Sequence, residues 1–348
     1  MIGMYNDGSH NILVIRLSAI GDVAMTIPTI YSVARTYPQH TLTVVTTTFA
    51  ARLFIEAPQN VCVIRLDKKE SRGLMGTLRL LRRLWGIHFD AVADLHNVLR
   101  SWIVDVVFIL RGTPVAMLDK IRHERKGILH RHAYTSRPFI DRYFDVFARL
   151  GLKAEAQFSS IFTSGLPALP DGIIPKEKER WVGIAPFARY ASKTYNVPLM
   201  QQVISLLNKR YLRIFLFGAQ GAETDMLKQW ATSYEQVQVV AGHLSLEQEL
   251  ILMAHMDVML TMDSANMHMA SLVGTRVVSI WGGTTPACGF LGFGQHENDA
   301  LVAGLDCQPC SIAGKSYCQH RNFHCFTALT PQNIVDKVES VIKSNYVS

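Results

Sequence analysis

The chain has 348 residues, 49% of them hydrophobic and 18% charged, which is enough apolar material for a large core and excludes a disordered chain. Lys and Arg number 35 against 28 Asp and Glu; residues 1–174 hold 21 basic and 14 acidic side chains, residues 175–348 hold 14 of each, so the excess lies in the first half and suggests an anionic partner there. No stretch approaches the roughly 18–20 apolar residues of a membrane-spanning helix. The run Trp102 to Leu110 is broken by Asp105, and the N-terminus lacks the basic and apolar regions of a secretory leader. A cytoplasmic protein is expected. Six cysteines in this length do not make a disulfide scaffold.

Asn11–Leu17 is a short branched apolar run, the pattern of a buried parallel strand. The small-residue turn Ser18-Ala-Ile-Gly21-Asp22 follows, then helical spacing from Val23 to about Tyr37, with Pro28 as a candidate first turn. Thr41–Thr46, Val61–Leu66 and Ala91–Leu95 read as strands, and Gly73–Trp85 as a helix. Gly165–Lys178, with three prolines and two glycines, reads as a linker. The pattern then restarts. Trp181–Ala185, Arg213–Phe217, Gln236–Val240, Val258–Thr261 and Arg276–Ile280 read as strands, and Val197–Lys209, Ser245–His255 and Ala265–Leu272 as helices. Ser245 and Gln248 have capping-box spacing. Strands alternating with helices predict two α/β halves with parallel sheets, followed by a helix over Pro331–Ser344.

Ligands bind at the carboxyl ends of strands in such sheets. Asp22 stands there, as a proton acceptor or as a helix N-cap. Arg189 and Lys193 follow the first strand of the second half, as phosphate ligands or as ordinary loop charges. Asp263-Ser264-Ala265-Asn266-Met267-His268 opens a helix whose free N–H groups would take an anion; the alternatives are a cap and a core histidine. Phe217-Gly218-Ala-Gln-Gly-Ala-Glu223 is a glycine-containing loop but not the dinucleotide fingerprint, and Gly314-Lys315-Ser316 lacks the leading glycine of a phosphate loop. No D-x-D pair exists to hold a sugar-nucleotide metal. Cys307, Cys310, Cys318 and Cys325, with His320 and His324 between them, have a spacing compatible with structural zinc or with plain thiols. The segment 78–85 interleaves leucines with Arg79, Arg82 and Arg83, as a membrane-surface helix does and as ordinary amphipathic helices do. No nucleic-acid motif accompanies the basic residues.

In order, Ile15-Arg-Leu-Ser-Ala-Ile-Gly-Asp22, Asp94-Leu-His-Asn-Val-Leu-Arg-Ser101, Lys193, Phe217–Glu223, Ala241–Glu247, Met262–His268 and Trp281-Gly-Gly-Thr-Thr-Pro286 resemble glycosyltransferase family 9, the ADP-heptose:lipopolysaccharide heptosyltransferases. The resemblance implies an α/β GT-B architecture, two Rossmann-like domains whose parallel sheets face a central cleft. It places an acceptor-binding domain over residues 1–168 and a nucleotide-sugar-binding domain over 169–330. Residues 331–348 form a last helix crossing back to the first domain.

It further implies inverting, metal-independent heptose transfer from ADP-heptose to an anionic, lipid-linked lipid A–inner core acceptor, by a protein peripheral to the inner face of the cytoplasmic membrane. No cofactor is required and nucleic acid is not a partner. Asp22 and Lys193 are the catalytic candidates. Arg189, Gly218, Glu223, Leu244, Asp263, Ser264 and His268 would bind the donor, and Ser18, His96, Arg100 and Arg122 the acceptor. Ala265 stands where the family has glycine, a handicap if that position needs positive φ, and His96 replaces a common glutamine. A related enzyme using another nucleotide sugar, a nucleotide-sugar epimerase, and a non-catalytic glycolipid-binding protein remain the alternatives.

Overall fold

The computed structural model describes residues 8–67, 69–70, 73–120, 124–129, 135–210 and 212–344. The chain forms two compact units: Met1–Ile121 with Arg137–Thr163, and Arg122–Ser136 with Ser164–Ser348. A single boundary after residue 168 is therefore not what the chain adopts. It enters the second unit at Arg122, where the Ser136 N–H donates to the Ala287 carbonyl at 2.8 Å, and returns to the first at Arg137. Arg122, Arg125, Lys126, Arg131 and Glu124 count with the second unit, leaving 17 basic and 12 acidic residues in the first and 18 and 16 in the second. The charge excess is larger in the first unit without being confined to it.

In the first unit, β1 (Asn11–Ile15) leads into α1 (Ile20–Thr36), followed by β2 (Thr41–Thr47), β3 (Val61–Leu66), α2 (Gly73–Trp85), β4 (Ala91–Asp94), α3 (Leu99–Leu110) and β5 (Val115–Met117). The short α4 (Arg125–Leu129) clusters with the second unit, and α5 (Phe139–Arg149) with the first. The sheet order is β3-β2-β1-β4-β5, with all pairings parallel. β1 is central and nearly fully buried, as its unbroken branched apolar run requires. Pro28 lies inside α1 rather than at its first turn. Proline removes one helical hydrogen bond, but residues 23–34 of α1 are buried throughout, and tertiary burial sets the helix limits here.

In the second unit, β6 (Arg180–Ala185), α6 (Val197–Asn208), β7 (Leu212–Leu216), α7 (Ala222–Ala231), β8 (Val237–Val239), α8 (Leu246–Ala254), β9 (Val258–Met262), α9 (Ala265–Leu272), β10 (Val277–Trp281) and β11 (Ala300–Val302) precede α10 (His324–Thr327) and α11 (Pro331–Ser344). The sheet order is β11-β10-β9-β6-β7-β8, again all parallel. The Ser245–Gln248 capping box opens α8 as its spacing predicts.

The last helix, expected to cross back, packs on the second unit's own core. Ile334, Val335, Val338, Val341 and Ile342 share one helical stripe and join the cluster containing Val203, Leu207, Leu260 and Ile280. The Arg210 Nε–Glu339 Oε1 ion pair at 3.1 Å ties α11 to the residues just after α6. A stripe of this kind announces that a helix is buried, not against which sheet.

Candidate active site

In the first unit the site gathers at the carboxyl ends of β1 and β4, neighbours in the sheet. The N-cap of α1 is Ala19, which has no side-chain acceptor, so the N-terminus is tied only in reverse: the Ala19 N–H donates to Asp22 Oδ2 at 3.1 Å. The same oxygen receives Arg16 Nη2 at 2.8 Å. Asp22 thus has a capping contact and an ion pair while its side chain stays 35% exposed. Arg16, absent from the sequence-based candidates, is the organiser. Its side chain is buried, and Nη1 donates to the Leu95 carbonyl at 2.6 Å, locking the loop after β4 to that after β1. Burial pulls the Arg16 guanidinium down, but Tyr143 and Asp22 beside it leave it more basic than usual.

Asp94, fully buried at the end of β4, shapes the loop that carries His96. It accepts from the N–H groups of His96 at 2.8 Å and Asn97 at 2.9 Å and from Ser101 Oγ at 2.7 Å. Burial, together with the positive charges of Arg16 and Lys120, pushes His96 down to about 3, so its imidazole is neutral at pH 7. Its buried Nδ1 has no hydrogen-bond partner among the described residues. Ser18 is exposed in the β1–α1 loop. The Arg100 guanidinium is turned elsewhere: Nε donates to Thr77 Oγ1 at 3.1 Å and Nη2 to the Glu70 carbonyl, so it braces α2 against α3. Arg122 lies outside the described residues.

Asp105 in α3 is fully buried beside Asp94. Burial first, and then the nearby Asp94 carboxylate, raise it to about 8, so at pH 7 Asp105 holds its proton. As pH rises from about 4 to about 8, the unfolded chain releases this proton and the folded chain keeps it. Stability therefore falls across that window, by at most about 1.4 kcal/mol per pH unit, and levels off above it. Asp105→Asn keeps the shape of the protonated carboxyl and removes the titration. Denaturant midpoints at pH 5 and pH 8 are expected to lie closer together in this variant than in the parent protein; an unchanged gap would refute the retained proton on Asp105.

In the second unit, the candidates follow the carboxyl ends of adjacent strands β10, β9, β6, β7 and β8. Lys193, in a short 3₁₀ turn after β6, places Nζ 2.8 Å from Asp263 Oδ2 at the end of β9, and Thr284 Oγ1, after β10, donates to the same oxygen at 2.5 Å. Asp263 is 2% exposed, so the pair is desolvated. Asp263 therefore does not cap α9. Nor does Ser264, which occupies the N-cap position with a buried Oγ that has no partner among the described residues. The N-terminus of α9 is left without a side-chain cap, the condition under which its N–H groups can take an anion. Ala265 starts this helix without positive φ, so the replaced glycine carries no strain here. His268 is buried one turn in.

The Lys193 turn is seated by Gly282 and Gly283 of the Trp281–Pro286 segment and by Lys315, none of which the sequence alone ties to it. The Gly283 N–H donates to the Ser192 carbonyl at 2.6 Å, and Ser192 Oγ accepts from the Lys315 N–H at 2.8 Å. A Cβ at Gly282 would lie 2.1 Å from Phe326 Cζ and 2.6 Å from the Ser192 carbonyl oxygen, so only glycine fits. Arg189 is exposed, its guanidinium 5.4 Å from the Tyr190 ring centroid. Glu223 Oε2 accepts from the Ala219 N–H at 2.7 Å, closing the loop after β7 over Gly218. Leu244 borders a recess of about 360 Å³ with Gly172, Val240 and His243.

Cys307, Cys310, Cys318 and Cys325 all line one cavity of about 560 Å³, with His320 and His324. The zinc site read from their spacing is not formed. Among the described residues no three His, Cys, Asp or Glu side chains come together to hold an ion. The thiols turn to separate partners: Cys310 Sγ to the Gly283 carbonyl, Cys318 Sγ to Asn322 Oδ1, and Cys325 into the apolar core. Burial and the neighbouring sulfurs push the Cys325 thiol up to about 12.

The second unit thus sets the uncapped start of α9 and the buried Lys193–Asp263 ion pair together at the strand ends of a parallel α/β sheet. The family profile "Glycosyltransferase family 9 (heptosyltransferase)" matches residues 77–319, and the chain belongs to that family. It is 22% identical over 285 residues to the lipopolysaccharide core heptosyltransferase OpsX of Haemophilus influenzae, covering 80% of each chain. It resembles the crystal structure of a family 9 glycosyltransferase from Veillonella parvula, with TM-score 0.71, 18% identity, and coverage of 96% of this chain and 97% of that one. It also resembles E. coli heptosyltransferase WaaC with ADP-2-deoxy-2-fluoro heptose, with TM-score 0.66, 16% identity, and coverage of 95% and 99%. The fold is GT-B, and the protein is a glycosyltransferase of lipopolysaccharide biosynthesis.

Proposed function

We propose that the protein transfers heptose from ADP-heptose to a lipid A–inner core acceptor, with inversion and without a metal ion in the chemistry. The observation that carries this reading is the uncapped N-terminus of α9 beside the Lys193–Asp263–Thr284 cluster. A diphosphate leaving group needs positive charge where its own negative charge develops. Lys193 and the first N–H groups of α9 supply it from fixed positions. Ser264 and His268 border the same end, Glu223 suits ribose hydroxyls, and the recess beside Leu244 suits adenine.

In the first unit, Asp22 takes the proton of the acceptor hydroxyl as its oxygen attacks the anomeric carbon and the bond to ADP breaks. Arg16 fixes the carboxylate's orientation through the 2.8 Å contact. Ser18 and neutral His96 serve the acceptor, and Arg100 holds the framework behind them. The lipid-linked acceptor is met at the inner face of the cytoplasmic membrane, with which the protein associates peripherally; among the described residues no helix is long and apolar enough to cross a membrane. Calorimetry tests the donor half. ADP is expected to bind at least about tenfold more tightly than UDP, a difference of about 1.4 kcal/mol. Equal affinities, or no ADP binding, would contradict the assignment.

A further inference from the structure

The first unit carries an apolar surface that neither its core nor the proposed chemistry uses. α2 and α3 turn Leu80, Leu84, Val104 and Phe108 inward to the core. The outer side of α3 is apolar along its length: Leu99 is 73% exposed and Leu110 81%, with Trp102, Val106 and Ile109 between them. α2 adds Leu74, Met75, Leu78 and Trp85. Of the fourteen large hydrophobic side chains exposed among the described residues, nine lie on these two helices. A concentration of this kind on adjacent elements marks an interaction surface rather than scattered exposure.

The exposed charge on the two helices themselves is basic, and Arg83 is already paired with Glu70, just before α2, at 3.2 Å. Arg79, Arg82 and Arg83 are exposed on α2, and the Arg111 guanidinium lies 4.8 Å from the Trp85 ring centroid just past the end of α3. α2 contains no acidic residue, and the one in α3, Asp105, is buried. The arginines and exposed leucines of α2 share its outer side, because Gly76, Thr77, Leu80 and Leu84 form the inner one. Apolar side chains, tryptophans and arginines presented together match the boundary between headgroups and acyl chains in an anionic leaflet. A two-fold contact with a second copy would set Arg79 and Arg82 against the same residues with no carboxylate on either helix to pair them.

We propose that the outer surface of α2 and α3 docks on an anionic phospholipid leaflet, inserting Leu99, Val106, Ile109 and Leu110 below the headgroups while the α2 arginines engage lipid phosphates. This deepens the proposed membrane-side function by naming the surface and the lipid class.

Co-sedimentation with phosphatidylcholine vesicles and with vesicles containing one-quarter phosphatidylglycerol tests it. The protein is expected to bind the anionic vesicles at least tenfold more strongly. Val106→Asp with Leu110→Asp is expected to reduce that binding at least tenfold, and Arg79→Glu with Arg82→Glu to abolish the preference for anionic lipid. All four positions are exposed, and circular dichroism verifies that each variant is folded. Absence of vesicle binding, or binding that both variants leave unchanged, overturns the proposal. So does a self-association in ultracentrifugation that Val106→Asp with Leu110→Asp dissolves, since the surface would then belong to a second copy. ADP titration and turnover of a detergent-free truncated acceptor, measured on the same variants, are expected to match the parent protein. A failure of the transferase reading would show in those measurements and leave the vesicle result standing.

Discussion

Asp22→Asn is expected to lower kcat by about 10²–10⁴, the range that a positioned general base contributes, while ADP binding stays within about twofold. Asparagine has nearly the shape of aspartate and keeps an oxygen for the Ala19 N–H, so the first turn of α1 is preserved. It cannot take a proton from the acceptor hydroxyl, and it ends the ion pair with Arg16. Arg16 is still held by the Leu95 carbonyl, which limits the structural damage. Steady-state kinetics with saturating donor, alongside a thermal melt, separates the two effects. A variant with an unchanged melting temperature and turnover within tenfold of the parent would remove Asp22 from the base role.

Lys193→Met is expected to destabilise the second unit and to abolish efficient transfer, for reasons that a second substitution can separate. Removing the ammonium leaves Asp263, 2% exposed, with an uncompensated charge. Breaking one side of a buried pair costs about 3–5 kcal/mol. Adding Asp263→Asn removes the orphaned charge and keeps an acceptor for Thr284 Oγ1, so the double variant is expected to recover most of the stability. Transfer is expected to remain down by about 10²–10³ in both, because the group neutralising the departing diphosphate is gone. Denaturant unfolding and kcat/KM on the three proteins give the cycle. Recovery of both stability and turnover in the double variant would show that Lys193 only balances Asp263.

The strands and most helices were legible because a parallel sheet buries both faces and writes near-continuous apolar runs such as Asn11–Ile15 and Val258–Met262. The site was legible as loops, for strand ends precede small-residue turns. What those turns contact was not. Arg16 stood inside a quoted motif, yet its role depends on Leu95, 79 residues away. Ser264 and Asp263 have residue types suited to capping, and only the geometry shows that neither caps α9. Asp105 read as a break in an apolar run; its partner Asp94 sits on a neighbouring strand. The interleaved leucines and arginines of 78–85 do not show which leucines face inward; Leu84 is buried, whereas Leu78 is exposed among the arginines. The spacing of the four cysteines was compatible with a metal or with plain thiols, but spacing does not fix where each thiol turns. The path of residues 122–136 into the second unit leaves no compositional mark beyond its basic residues.

The proposed reaction moves heptose from an ADP donor to an inner-core acceptor. Its most direct test is mass spectrometry after incubating the protein with ADP-heptose and a truncated lipid A–inner core acceptor, with UDP-sugars in parallel. The predicted result is an acceptor heavier by one heptosyl residue, one ADP released per transfer, and no product from the UDP-sugars. An unmodified acceptor beside intact ADP-heptose, or ADP-heptose converted equally well without acceptor, would contradict the account.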